Sequence, residues 1–175
     1  VIGSGPKSLS HFATSTQRNR PELNDNRVIP KWLENSHMYT PKIQASDQQL
    51  NLRGLKTHLR VWGRADAPLL VLIHGWMDLG ASFQFVVDHL QKEWRVVAPD
   101  MRGFGHTGWQ VTECGGVRNY WYIDYLADLD ALLDEISPDQ PVNLVGHSMG
   151  GNIVMMYAGI RSKRVRSVVN LEGFG

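Results

Sequence analysis

A chain of 175 residues is long enough for one domain with a full hydrophobic core. Its 42% hydrophobic and 20% charged residues, balanced to a net +1, exclude a wholly disordered chain and leave no basic excess to neutralise nucleic-acid phosphates. The single cysteine, Cys114, excludes an intramolecular disulfide and a cysteine-built zinc site.

Residues 1–46 are polar and broken by Pro6, Pro21, Pro30 and Pro41, the pattern of a loosely ordered leader ahead of a core at 47–175. The segment Gly3-Ser4-Gly5-Pro6-Lys7-Ser8 has the composition of a phosphate loop. Only Val1 and Ile2 precede it, so it lacks the strand that aims such a loop, and it reads as a flexible stretch. The first turn of sequence carries no apolar h-region, and no run approaches the roughly 18 apolar residues of a membrane span. A cytoplasmic location is the expectation. The start at Val1 points to processing or clipping, and the acid-free first residues bear only a faint likeness to a transit peptide.

The core elements follow in order. Gln49–Arg53 and Leu55–Trp62 read as an antiparallel pair about Gly54. Leu69–Ile73 is a short continuous apolar run, the mark of a strand buried on both faces, and Arg95–Ala98, Val142–Val145 and Val165–Leu171 repeat it. Between them, Phe83, Val86, Val87, Leu90 and Trp94 keep helical spacing behind Ser82 as N-cap. Ile123, Leu126, Leu129, Leu133 and Ile136 do the same up to Ser137-Pro138, and Ile153, Met156, Tyr157 and Ile160 mark a third helix. Such alternation predicts a mostly parallel α/β sheet with helices on both faces.

Gly146-His147-Ser148-Met149-Gly150 matches G-x-S-x-G between a buried strand and a helix. A nucleophilic serine at such a turn needs a strained backbone and neighbours without side chains, which Gly146 and Gly150 supply. The turn would lift the Ser148 hydroxyl to a helix N-terminus, where negative charge is favoured. The alternative is a glycine-rich turn with an incidental serine. His74-Gly75-Trp76 directly follows the Leu69–Ile73 strand. An oxyanion hole needs two backbone N–H donors, and Trp76 and Met149 are the candidates to give them, with Gly75 as the glycine of that loop; the alternative is a plain tight strand-to-helix turn.

With Asp100-Met101-Arg102-Gly103-Phe104-Gly105-His106, these motifs make residues 48–175 resemble the α/β-hydrolase superfamily, similar to serine-hydrolase-like proteins and small bacterial esterases. The resemblance implies the α/β-hydrolase fold and hydrolysis of an ester or related acyl bond through an acyl-enzyme at Ser148. It implies a small-molecule acyl substrate, no metal and no organic cofactor. C–C bond hydrolysis and cofactor-free perhydrolysis use the same machinery. Members that open epoxides or haloalkanes carry an aspartate where Ser148 stands. The Asp100–His106 loop has a mostly architectural role in the family.

The superfamily order is nucleophile, acid, histidine. All seven histidines (His11, His37, His58, His74, His89, His106, His147) precede Ser148. The chain is therefore expected to be a fragment, truncated after about the sixth strand, without the cap region and last strands, and inactive alone. His74 is expected to hold its own loop, His147 to diverge from Ser148, and His106 to be the least implausible stand-in base. His11, His37, His58 and His89 read as surface or helix residues. Glu172, just after Val165–Leu171, matches the minority placement of the acid as a buried carboxylate, or else lines the pocket. Trp109, Cys114 and Tyr120–Tyr122 line a pocket or belong to the core. A non-catalytic ligand-binding protein on the same fold is the other functional class.

Overall fold

The five residues Leu69–Ile73 feed two cores at once. Leu70 and Leu72 pack with Trp62, Phe83, Val87, Val96 and Ala98, whereas Val71 and Ile73 pack with Leu59, Val97, Leu129 and Ile153. Successive strand side chains point to opposite faces, so a strand covered on both sides must be apolar throughout. The computed structural model describes residues 39–109 and 120–174, within a unit spanning Tyr39–Gly175. The expectations for residues 1–38 and for Cys114 lie outside the described residues.

Six strands form the sheet: β1 (Ala45–Leu52), β2 (Leu55–Trp62), β3 (Leu69–Ile73), β4 (Arg95–Pro99), β5 (Val142–His147) and β6 (Val165–Leu171). Their spatial order is β1-β2-β4-β3-β5-β6. β1 and β2 run antiparallel, β2 meets β4 antiparallel, and β4, β3, β5 and β6 are mutually parallel. Among the described residues, three α-helices accompany them: α1 (Gln84–Val87), α2 (Tyr122–Ile136) and α3 (Met149–Ile160). α2 and α3 cover one face and α1 the other, as the alternation predicts. No helix among the described residues is long and apolar enough to cross a membrane.

Several boundaries differ from the sequence expectation for identifiable reasons. β1 starts at Ala45 rather than Gln49, because it is an edge strand whose polar residues 46–49 face water while pairing with β2. Arg53 and Gly54, both at positive φ (51° and 78°), make the two-residue turn that closes this hairpin at Leu52 and Leu55. The helix expected from Phe83 to Trp94 is only α1, preceded by a 3-10 turn over Gly80–Phe83. Leu90 and Trp94 reach the same core from outside the helix, which produced the misleading spacing. Ser82 caps nothing; its hydroxyl donates to Asp78. Asp88 ends α1 and accepts from Lys42 N at 3.0 Å and Ile43 N at 2.9 Å, so residues just before β1 are tied to the core. On α2 the buried stripe is Tyr125, Leu126, Leu129, Leu132 and Leu133, and Ile123 faces solvent. On α3, Ile153, Val154 and Tyr157 are buried, whereas Met156 and Ile160 are exposed.

A buried ion cluster joins the hairpin turn, α2 and the loop after β4. Arg102, with its side chain 1% exposed, makes a two-pronged contact to Asp128 at 2.5 Å through Nε and Nη2. Arg53 Nη1 reaches the same carboxylate at 2.9 Å. Removing one partner of a buried pair strands the other charge, a loss of about 3–5 kcal/mol, whereas replacing both by apolar groups costs far less. Urea unfolding of Asp128→Ala should show a loss on that scale, and the double variant Arg102→Met/Asp128→Leu should recover most of it.

Candidate functional site

The carboxyl ends of the parallel strands bring the sequence motifs to one edge of the sheet. β3 runs into His74-Gly75-Trp76, β4 into the loop from Asp100, β5 into Ser148 and β6 into Glu172. From β3 the chain first builds β4 on one side and later returns to build β5 on the other. The gap between β3 and β5 is therefore the point where the winding direction switches, the place where open α/β sheets bind ligands.

Ser148 occupies that point with φ 52° and ψ -117°, a conformation that a side-chain-bearing residue holds only against a cost of about 1–3 kcal/mol. Its neighbours enforce it. Ser148 N donates to Leu171 O at 2.7 Å and its carbonyl accepts from Asn152 N at 3.1 Å. A Cβ on Gly146 would stand 2.6 Å from Gly151 N, and one on Gly150 would stand 2.6 Å from the Ile73 carbonyl carbon and 2.7 Å from His74 O. Both glycines thus permit α3 to start directly against β3 and β5. Ser148 is partly exposed, makes no N-cap bond with its side chain, and its hydroxyl has no hydrogen bond among the described residues. Met149, the first residue of α3, belongs to the turn whose N–H groups find no partner within the helix.

The His74-Gly75-Trp76 loop passes beside this turn: a Cβ on Gly75 would lie 3.2 Å from Ser148 Cβ and 3.1 Å from His147 Nδ1. His74 is fully buried. Its Nε2 accepts from Met101 N at 2.9 Å, so the ring proton sits on Nδ1 and is donated to Gly75 O at 2.7 Å. Burial holds the His74 pKa below its ordinary 6.5, with the contact to Gly75 O opposing that shift. Phe104 packs edge-on to both His74 and Trp76, with ring centres 5.4 and 5.3 Å apart. The Trp76 and Met77 side chains are exposed, and Met77 has φ 55°.

Asp100 organises the neighbouring loop. Its completely buried carboxylate accepts from Gly80 N at 2.8 Å and His106 N at 2.9 Å and lies 2.9 Å from His58 Nδ1. Thr107 Oγ1 donates to Asp100 O at 2.5 Å and accepts from His58 N at 2.9 Å. On the other side of Ser148, the Asn170 amide closes the turn after β6, bonding Gly173 N at 2.8 Å and Gly173 O at 3.0 Å. Glu172 sits in that turn at φ 59°, its carboxylate 3.9 Å from His147 Nε2.

A family model described as alpha/beta hydrolase fold matches residues 68–174, more than half of the chain. The chain belongs to the α/β-hydrolase family. Among curated relatives, a serine hydrolase-like protein of Danio rerio is 29% identical over 168 residues, covering 96% of this chain and 43% of the relative. Epoxide hydrolase 3 of Siraitia grosvenorii is 31% identical over 124 residues, 70% of this chain and 37% of its own length. Among solved structures, the thioesterase domain from the curacin biosynthetic pathway superposes with a TM-score of 0.63 at 31% identity, over 71% of this chain and 45% of that domain. The chain spans less than half the length of these relatives.

In this α/β-hydrolase the residues singled out in the sequence are only partly gathered. Ser148, Met149, Gly75, Gly146, Gly150, His147 and Glu172 meet at the β3–β5 edge. The Glu172 side chain, expected as a buried carboxylate, is exposed among the described residues and stands in the turn after β6. His106 stands at Asp100 and His58, with Nδ1 3.6 Å from Asp100 Oδ2, and has no described contact with Ser148. Trp109 is exposed and leans on Tyr120 with ring centres 6.4 Å apart. His58, read as a surface or helix residue, is instead buried on β2.

Two tests of this geometry follow from the backbone and from His74. Ser148→Gly relieves the positive φ that Ser148→Ala retains, so the glycine variant should be the more stable of the two by about 1 kcal/mol in denaturant titrations. His74 binds its proton less readily folded than unfolded. The unfolded chain therefore gains protons first as pH falls, and stability should decline below pH 6.5 and level off below the folded-state value. That decline should be reduced in His74→Gln, as followed by urea midpoints across pH.

Proposed function

We propose that the protein containing this chain hydrolyses an ester or related acyl bond, with Ser148 as nucleophile. The observation that carries the reading is the strained Ser148 backbone, which holds at the start of α3 a partly exposed hydroxyl without a hydrogen bond among the described residues. Strain of this kind is retained where a site uses it. Ser148 Oγ attacks the carbonyl carbon while a histidine beyond the residues of this chain takes its proton. The carbonyl π electrons move onto oxygen, and the N–H groups of Trp76 and Met149 hold that oxyanion, each donor contributing about 3 kcal/mol. Collapse expels the alcohol or thiol, which receives the proton from the histidine. Water then attacks the acyl-enzyme by the same route and restores the Ser148 hydroxyl. Glu172 is the candidate for the carboxylate that orients the histidine.

The names of the relatives span a serine hydrolase-like protein, an epoxide hydrolase and a thioesterase. Oxygen- and thioesters fit a serine hydroxyl. Epoxide opening by this fold uses an aspartate at the position of Ser148, which disfavours that substrate class here. An aryl or alkyl fluorophosphonate probe should label the intact protein at Ser148, as located by peptide mass, and Ser148→Ala should abolish the label. A folded intact protein that stays unlabelled at saturating probe would overturn the proposal in favour of a ligand-binding role.

A further inference from the structure

A second cluster of chemistry-bearing residues lies outside the proposed acyl-transfer machinery. His58, Asp100 and His106 each offer one ligand atom, and these atoms lie within 4.8 Å of one another. They come from β2, the residue after β4, and the following loop, and their positions along the chain give no hint of the meeting. The resemblance to the superfamily implied no metal.

His58 is held between two carboxylates. Its Nδ1 is 2.9 Å from Asp100 Oδ2 and its Nε2 is 3.1 Å from Asp47 Oδ1. A neutral imidazole has one N–H and can satisfy only one of them. The other nitrogen then turns a lone pair toward a carboxylate, and either a second proton or a metal cation must lie between. A proton on Nε2, donated to Asp47, reproduces the outer carboxylate that fixes a metal-ligating histidine and leaves Nδ1 facing Asp100. His106 Nδ1 closes the third side, 3.6 Å from the same Asp100 oxygen.

We propose that His58 Nδ1, Asp100 Oδ2 and His106 Nδ1 bind a divalent transition-metal ion, with zinc as its representative and water completing a tetrahedron. Zinc bonds of about 2.0–2.1 Å place tetrahedral ligands roughly 3.3 Å apart. The observed 2.9 and 3.6 Å edges straddle that value. The remaining edge, between the imidazoles with ring centres 5.0 Å apart, is adjustable because the His106 side chain is 77% exposed. Two nitrogen donors and one carboxylate favour zinc-like ions over magnesium or calcium, which take oxygen cages. The other Asp100 oxygen accepts from Gly80 N, and Phe104 packs on His74 and Trp76. The ion would therefore clamp β2 to the loops bordering Ser148, a stabilising role separate from the acyl chemistry.

The test uses the intact protein, freed of any affinity tag. Zinc should raise the thermal midpoint in a concentration-dependent way where magnesium does not. Cobalt(II) should give the visible absorption of a four-coordinate N/O site, displaced by zinc. His106→Ala removes an exposed ring and so spares the fold; it should weaken binding at least roughly tenfold, as should Asp47→Asn. The control His89→Ala, on an exposed ring elsewhere, should leave binding unchanged. Absence of the cobalt spectrum and of the zinc-dependent shift in the parent protein overturns the proposal, and so does an unaltered response in His106→Ala.

Discussion

The carboxyl edge of the sheet depends on how closely the start of α3 can approach β3 and β5, and that distance is set by missing side chains. Gly150 lies over the carbonyls of Ile73 and His74, Gly146 lies against the Gly150–Gly151 peptide, and a Cβ on Gly151 would stand 2.9 Å from Gly173 Cα. Each contact is backbone against backbone, where no rotamer can yield. With α3 seated this deeply, the single residue joining it to β5 has no relaxed path, and Ser148 absorbs the difference at φ 52°. The helix dipole then points its positive end at whatever stands above that residue.

Around this contact, two buried polar side chains convert loops into fixed surfaces. His74 bridges the loop after β3 to the loop after β4, and Asp100 collects amides from Gly80 and His106 together with the His58 ring. Buried polar groups are costly unless bonded, and these are bonded by backbone groups that would otherwise be orphaned. Precision at the site thus rests on hydrogen bonds between loops distant in sequence, with the apolar cores supplying the bulk of cohesion on either side.

What could be read from the sequence follows from which signals are local. The β3 and β6 boundaries agree with the apolar runs at Leu69–Ile73 and Val165–Leu171, because burial or sheet pairing acts on consecutive residues there. The spacing of Gly146, Ser148 and Gly150 is also local, and it marks the turn. The helix drawn through Phe83 and Trp94 was longer than the real one, since two separate segments meet the same core and periodicity does not tell them apart. His58, Asp47 and Asp100 could not be grouped at all, because an edge hairpin and a strand end meet only once the sheet has assembled. The turn after β6 is closed by the Asn170 side chain accepting from Gly173 N, a detail beyond strand patterning.

The order of the strands carries a kinetic consequence. β3 lies between β4 and β5, and its pairing of Leu70 with Asn143 joins positions far apart along the chain. During assembly the flank of β3 that receives β5 must wait until α2 has been laid down, so a wholly apolar ribbon stays open to water while loop-closure entropy is being overcome. Long-range pairing of this kind slows folding, and an open strand edge favours self-association in the interval. A strand buried at four of its five positions is, for that interval, exposed and sticky.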